Sequence, residues 1–90
     1  MSHTVRHKTK LLGRVRRIKG QVEAVERALE SELGCADVLQ LVASIRGAMA
    51  GLTAELIEHH VNGHILEPAD PAERRHGAEE LIDVVRAYLK

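Results

Sequence analysis

The hydrophobic positions of the chain fall into three blocks that repeat with the period of a helix. In the first block, consecutive apolar residues are spaced 4, 3, 4, 3, 4, a heptad pattern that extends from about Thr4 to Ser31. The positions are Leu11, Val15, Ile18, Val22, Val25 and Leu29. This pattern predicts a long amphipathic helix, followed by a turn at Leu33-Gly34.

The second block has the same spacing, at Val38, Val42, Ile45, Met49, Leu52 and Leu56. It predicts a helix from about Ala36 to Ile65, after which Pro68 and Pro71 enforce a break. A shorter third helix is predicted from about Ala72 to Leu89, with one apolar side formed by Ala78, Leu81, Val85 and Tyr88. No strand-like alternation is present, so the predicted fold class is all-α, with two long helices and a short third.

The lengths of these helices predict self-association. Two helices of about 28 residues each span about 40 Å at 1.5 Å per residue, and a third helix of half that length cannot cover both. The apolar surface that remains must pack against another copy of the chain, so we expect a homo-oligomer.

Length and composition limit the class of protein. Ninety residues indicate a single domain, residues 1–90. The aromatic content of 1% indicates a core in which aliphatic side chains pack between helices. The one cysteine excludes an internal disulfide framework and fits a reducing cytoplasm. No apolar run approaches the ~20 residues of a membrane span and no signal-peptide pattern follows the basic start, so no membrane partner is expected.

The net charge of zero conceals a strong segregation of charge. Residues 1–22 contain seven of the 13 Lys and Arg residues and none of the 13 acidic residues. This asymmetry favours a polyanion such as double-stranded DNA over a merely solvated basic face. The candidate DNA-binding residues are Lys10, Arg14, Arg16, Arg17, Lys19 and Arg46. Arg46, in the second helix, either pairs with Glu55 or another acid, or reaches DNA.

A cysteine and two histidines form a candidate metal site. His60 and His64 are four residues apart and lie on one helix face, a spacing that lets two imidazoles share a metal, although two solvated histidines would look the same. Cys35 lies 25 residues before His60, roughly 37 Å along a helix, so one chain cannot join them. In an antiparallel pair of second helices, crossing at the small residues 47–51, each Cys35 would meet its partner's histidines. Two symmetric inter-chain sites are therefore predicted.

The chemistry of these donors favours particular metals. A thiolate with two imidazoles suits a borderline divalent ion, and His3, with the Ser2 amine as a further candidate ligand, would raise the coordination number toward that of Ni(II) or Co(II). Zn(II) or copper is expected to bind in vitro as well. Cys35 could instead be a small packing residue. His7, His59 and His76 are expected to be surface, seam or solvated residues.

Together these segments resemble the CsoR/RcnR/FrmR family of small bacterial repressors, and within it the RcnR-like nickel/cobalt branch. The resemblance covers nearly the whole chain. It rests on Ser2-His3-Thr4, 14–22 (RVRRIKGQV), Cys35, 45–48 (IRGA), Gly51-Leu52, Glu55 and 85–90 (VRAYLK).

The resemblance implies a three-helix protomer, an antiparallel dimer and a flat tetramer made of two dimers. It implies a repressor, not an enzyme, that binds operator DNA without metal and releases it when an inducer binds, so that an efflux or detoxification gene is transcribed. The family's sensing positions correspond to His3, Cys35, His60 and His64, the combination associated with nickel and cobalt.

Other branches of the family imply other inducers. A copper(I) sensor would carry a second cysteine at His64, and a persulfide sensor needs two thiols. Formaldehyde sensors carry a proline at the position of Ser2, and this branch is the main alternative. Outside the family, a basic nucleoid-associated protein would bind DNA independently of metal.

Overall fold

The computed structural model describes residues 7–90, which form three α-helices and one π-helical segment. They are α1 (Lys8–Glu30), α2 (Cys35–His60), the π-helical segment (Val61–Leu66) and α3 (Pro71–Tyr88). No strand occurs within residues 7–90. The predicted all-α class, with two long helices and a shorter third, is confirmed. The predicted start of the first helix, at Thr4, lies outside the described residues.

The predicted helix through Ile65 is confirmed in its extent, but its last turn is π-helical. After His60 the backbone changes to a π-helix, in which the Glu67 N–H donates to the Asn62 carbonyl at 3.0 Å. This hydrogen bond spans five residues, whereas an α-helical bond spans four, so the turn is wider. Hydrophobic periodicity cannot distinguish the two forms because one turn is too short to reveal a change of period.

The turn between α1 and α2 occurs at the predicted place, but a different residue makes it. Leu33 N–H donates to the Ala28 carbonyl at 3.0 Å and Glu32 N–H to the Leu29 carbonyl at 3.2 Å, the two bonds of a Schellman motif. The left-handed residue of this motif is Glu32, with φ of 57°. Gly34 instead precedes α2, where its carbonyl accepts from the N–H groups of Asp37 and Val38.

The break before α3 follows from local chemistry. Asp70 is the N-cap, and its Oδ1 accepts a hydrogen bond from the Ala72 N–H at 3.0 Å. Pro71 occupies the first helical position, where its missing N–H leaves no bond unmade. The break that Pro68 and Pro71 predicted is therefore confirmed.

Each heptad pattern divides into a protected half and an exposed half. Every second position is buried or half-buried: Leu11, Ile18 and Val25 in α1, and Val38, Ile45 and Leu52 in α2. The alternate positions are exposed: Val15, Val22 and Leu29 in α1, and Val42, Met49 and Leu56 in α2. A single chain thus leaves two apolar stripes uncovered, as the helix lengths predicted.

The described chain divides into two compact units. Thr9–Thr53 contains α1 and most of α2, and within it Gln21 Nε2 donates to Ser44 Oγ at 3.5 Å. The second unit contains Ala54–Lys90 with residues 7 and 8, and so includes the end of α2, the π-helical segment and α3. The histidines of the candidate metal site belong to the second unit.

The helical stretch Cys35–Leu66 is long and apolar enough to cross a membrane by length and composition alone. Its apolar residues are nevertheless divided by charges, among them Arg46 and Glu55. A charged side chain at the centre of a bilayer costs about 2.5–3.5 kcal/mol. Helices that pack against other helices in water have a similarly apolar composition. In Cys35–Leu66 the exposed heptad positions contribute to this apolar composition.

Candidate metal centre and nucleic-acid interface

His60 and His64 form a close pair of imidazoles. Their rings are stacked, with centroids 4.8 Å apart and an interplanar angle of 30°. His60 is the last residue of α2, and His64 lies in the π-helical segment that follows. The predicted pairing of the two rings on one face is confirmed, and it persists across the change from α- to π-helix.

The orientation of the His60 ring is set by the backbone of α3. Its Nε2 atom lies 2.8 Å from the carbonyl oxygen of Gly77. Because a carbonyl oxygen can only accept, Nε2 must carry the hydrogen, and in the neutral ring the lone pair is then on Nδ1. The atom of His60 that can ligate a metal is therefore Nδ1, with Nε2 held by the protein.

Gly77 also brings α3 against the segment that carries His64. Gly77 is buried, and a Cβ atom built on it would overlap the carbonyl oxygen of His64. Only glycine permits this approach of the two backbones. Gly77 therefore positions both imidazoles: it fixes the ring of His60 and allows the backbone of His64 to pack closely. No motif or spacing in the sequence marked Gly77 as a residue of the site.

Acidic residues of α3 surround the histidine pair. Glu80 Oε1 lies 4.0 Å from His60 Nε2, and Glu80 Oε2 lies 3.7 Å from His76 Nε2. An open cleft of about 520 Å³ lies beside His64, with Glu73, His76 and Glu80 on its α3 wall. The His76 side chain is 74% exposed, in agreement with its predicted solvation.

Of the remaining predicted ligands, only Cys35 lies within the described residues. Cys35 is exposed at the first residue of α2. His3 and the Ser2 amine lie outside the described residues. Within residues 7–90, no group of three or more His, Cys, Asp or Glu side chains is arranged to hold a metal ion. The described part of one chain thus offers a pair of imidazoles, and the inter-chain site stays a prediction.

The donors that are present fit the predicted kind of metal. Two imidazoles, one of them held by a backbone carbonyl, are ligands of borderline divalent ions. Of the four predicted ligands, the structure brings together His60 and His64, and the participation of Cys35 and His3 stays a prediction.

A second histidine pair lies next to the first. His7 and His59 are stacked, with ring centroids 4.4 Å apart, and His59 Nε2 lies 3.9 Å from Glu55 Oε1. His59 and Glu55 are both buried. His59, predicted to lie at the surface or in a helix seam, is therefore buried, in agreement with the second of these two alternatives. The four-residue spacing of Glu55 and His59 was the only signal of this contact in the sequence.

The basic residues of α1 line a second cleft, in the Thr9–Thr53 unit. Lys10, Arg14 and Arg17 border a space of about 420 Å³, together with Gly13, Ile18 and Ala48. The predicted DNA-binding residues are all exposed: Lys10, Arg14, Arg16, Arg17, Lys19 and Arg46. Three of the six share this cleft, and the other three lie elsewhere on the surface.

Comparison with known proteins gives a consistent result. The family model described as "metal-sensitive transcriptional repressor" matches residues 7–87. The chain is 42% identical to the transcriptional repressor RcnR of Citrobacter koseri and 53% identical to an uncharacterized protein from the bioA 5′ region of Serratia marcescens. Both matches cover 100% of this chain and 100% of the relative.

A solved structure shares the fold. It is a Glu-to-His variant of the formaldehyde-responsive regulator FrmR from Salmonella enterica serovar Typhimurium. The TM-score is 0.85 and the identity 44%, over 92% of this chain and 94% of the other.

Proposed function

The chain belongs to the metal-sensitive transcriptional repressor family, and on this premise we propose that it represses transcription until Ni(II) or Co(II) binds. In this proposal the metal-free protein binds operator DNA, and the metal-bound protein releases it. Release allows transcription of a metal efflux gene. Residues 1–90 act as one DNA-binding and metal-sensing domain in the cytoplasm.

The observation that carries the proposal is the His60–His64 pair. Its rings are 4.8 Å apart, and Gly77 holds His60 Nε2 so that Nδ1 is left for a ligand. Metal-binding histidines commonly donate their second N–H to a carbonyl. The relatives named RcnR are repressors, and metal sensing is the property named for the family.

The full site is proposed to form between chains. Cys35 of one copy would meet His60 and His64 of another, and His3 with the Ser2 amine would complete the shell. The exposed apolar stripes of α1 and α2 supply surface for this assembly, since a monomer leaves Val22 51% exposed and Met49 44% exposed. We propose an antiparallel dimer and a tetramer made of two dimers.

DNA binding is assigned to the basic face of α1. Lys10, Arg14 and Arg17 line one cleft, and copies in an oligomer would present a broad cationic surface. Contacts of this kind bind phosphates and give affinity more than base discrimination. We expect sequence preference to come partly from DNA shape.

Coupling between the two functions is proposed to run through the amino-terminal arm. Drawing His3 onto the metal would tether the residues that precede α1, and α1 carries the DNA-binding side chains. A coupling free energy of about 1–3 kcal/mol would lower DNA affinity about 5- to 150-fold.

A formaldehyde response is the second candidate, because a formaldehyde-responsive regulator shares the fold at 44% identity. Ser2 stands where formaldehyde sensors carry proline, so this chain lacks the secondary amine of that branch. His64 supplies an imidazole that serves metal binding. Nickel or cobalt is therefore the preferred inducer.

The proposal is tested by DNA binding in the presence of each candidate inducer. The metal-free protein is bound to fluorescent duplex DNA flanking its own gene, and Ni(II), Co(II), Cu(I), Zn(II) and formaldehyde are titrated in parallel. We expect Ni(II) or Co(II) to release the DNA, His64→Ala to abolish the release, and His76→Ala, a solvated histidine, to preserve it.

Two outcomes would contradict the proposal. Release by formaldehyde alone, unaffected by His64→Ala, would indicate the aldehyde-sensing function. DNA binding that none of the five compounds changes would indicate a metal-independent nucleoid protein.

A further inference from the structure

Gly51 in α2 and Arg14 in α1 meet within the Thr9–Thr53 unit. A Cβ atom built on Gly51 would lie 3.0 Å from Nη1 of Arg14. Ordinary contacts of a Cβ atom begin at about 3.4 Å, so a side chain at position 51 would displace the guanidinium by a few tenths of an ångström. The guanidinium therefore lies in the space next to α2 that the absence of a side chain at Gly51 leaves open.

The other glycines inside the two long helices behave differently. A Cβ built on Gly13, Gly20 or Gly47 would meet no heavy atom within 4 Å. Glycine destabilises a helix interior relative to alanine, so each of these positions carries a cost in folding. Of the four, Gly51 is the position at which a side chain from another helix lies close to the space that a methyl group would fill.

The Arg14 guanidinium, which lies next to Gly51, belongs to the basic cleft. Arg14 lines it with Lys10 and Arg17, while Ile18 and Ala48 contribute apolar wall. Ala48 lies three residues before Gly51, on the same side of α2. Small residues of α2 thus allow the Arg14 side chain to lie against that helix, with its guanidinium group at the cleft.

We propose that Gly51 is a positioning residue for DNA binding, which seats the Arg14 guanidinium so that it and its basic neighbours engage one backbone phosphate. This inference rests on the proposed function of DNA binding. It adds that the group bound at the cleft is a backbone phosphate and that an uncharged residue, Gly51, contributes to its binding. A different role for Gly51, as a point where α2 helices of two copies approach, makes different predictions.

The test compares Gly51→Ala with Gly20→Ala in the full chain. The probe is mixed-sequence duplex DNA, because phosphate contacts do not depend on the operator. For Gly51→Ala we expect affinity to fall roughly three- to tenfold and the slope of log affinity against log salt to decrease by up to about one. Its thermal midpoint should be unchanged or raised, since the clash is with a mobile side-chain end.

The control variant separates positioning from general structural effects. Gly20→Ala should raise the thermal midpoint by a few degrees and leave DNA affinity and salt slope unchanged. Loss of DNA binding in Gly51→Ala that is accompanied by dissociation in sedimentation velocity would show that close approach between copies is the reason for this glycine. That outcome would overturn the proposal.

A double-mutant cycle gives the decisive readout. In an Arg14→Ala background, Gly51→Ala should reduce DNA affinity no further, because the side chain it positions is gone. Additive losses would overturn the role of Gly51 even though the wild-type protein binds DNA. Failure of the wild-type protein to bind DNA would instead contradict the proposed function itself.

Competition with inorganic phosphate at constant ionic strength tests whether the cleft binds a DNA phosphate or a free phosphate ion. A DNA phosphate is held by many contacts at once, so we expect free phosphate in the millimolar range to leave DNA binding unchanged. Competition that disappears in Arg14→Ala would assign the cleft to a free anion and contradict the proposal.

Discussion

His60 Nε2 lies 2.8 Å from the carbonyl oxygen of Gly77, so the ring of one predicted metal ligand is oriented by the backbone of α3. The same glycine packs against the backbone of His64. One residue outside the predicted ligand set thus determines how both imidazoles are presented.

Replacing Gly77 by alanine should destabilise the protein and disturb the metal site. The added methyl group would overlap the His64 carbonyl, and overpacking of this kind costs about 1–3 kcal/mol or more. The measurement is urea unfolding of the metal-free protein together with Co(II) affinity. Gly13→Ala is the matched control, because its methyl group meets nothing and should stabilise α1 by up to about 1 kcal/mol. Equal stability of the two variants would contradict the tight packing at Gly77.

Replacing Glu32 by glycine should stabilise the turn between α1 and α2. Glu32 has φ of 57°, a left-handed conformation that costs a residue with a Cβ about 1 kcal/mol relative to glycine. Chemical denaturation should show a gain approaching this value. Glu32→Ala retains the Cβ and should show no comparable gain. If alanine and glycine stabilise equally, removal of the charge rather than relief of strain is responsible.

Much of the fold could be predicted from the sequence because its main signals are local. Heptad spacing located both long helices, and Pro68 with Pro71 located the break before the third. The heptads could not show which half of each stripe is covered within one chain, because that depends on how the helices pack. Thus Val15 and Leu11 looked equivalent in the pattern, yet Val15 is 45% exposed and Leu11 only 7%.

The candidate site was predicted less completely. The His60–His64 spacing was enough to place two rings on one face. The roles of Gly77 and His7 depend on contacts between residues remote in sequence or on a close backbone approach, which spacing does not encode. Likewise, Gly34 was the natural residue for a left-handed turn, but a complete set of Schellman hydrogen bonds places Glu32 there instead.

Replacing Val22 by glutamine should weaken self-association. Val22 is 51% exposed in one chain and lies on an apolar stripe that we expect another copy to cover. Burying an unpaired amide costs roughly 1–3 kcal/mol, so the dissociation constant should rise about tenfold or more. Sedimentation velocity over a concentration series measures the change. The control is Glu26→Gln, an exposed polar position on the same helix, and equal behaviour of the two variants would remove this stripe from the interface.

Replacing Arg17 by alanine should weaken binding to every DNA sequence by a similar factor. Arg17 lines the basic cleft, and loss of one phosphate contact should reduce the salt slope by about one. Fluorescence anisotropy at several salt concentrations gives both quantities. Arg75→Ala removes an exposed arginine of α3 that pairs with Glu79, and it should leave the slope unchanged. A slope that is flat already in the wild-type protein would refute the electrostatic account of DNA binding.

The most direct measurement for the proposed sensor is complementation between two defective variants. Cys35→Ala and the double variant His60→Ala/His64→Ala are each unable to form the predicted site. They are mixed by reversible dissociation, and Co(II) is added. If the site joins two chains, random mixing restores about a quarter of the wild-type sites, and the thiolate-to-Co(II) absorption band returns in that proportion. If the mixture shows no more absorption than the sum of the separate variants, the thiol and the imidazoles do not share a metal across the interface, and the proposed mode of sensing is wrong.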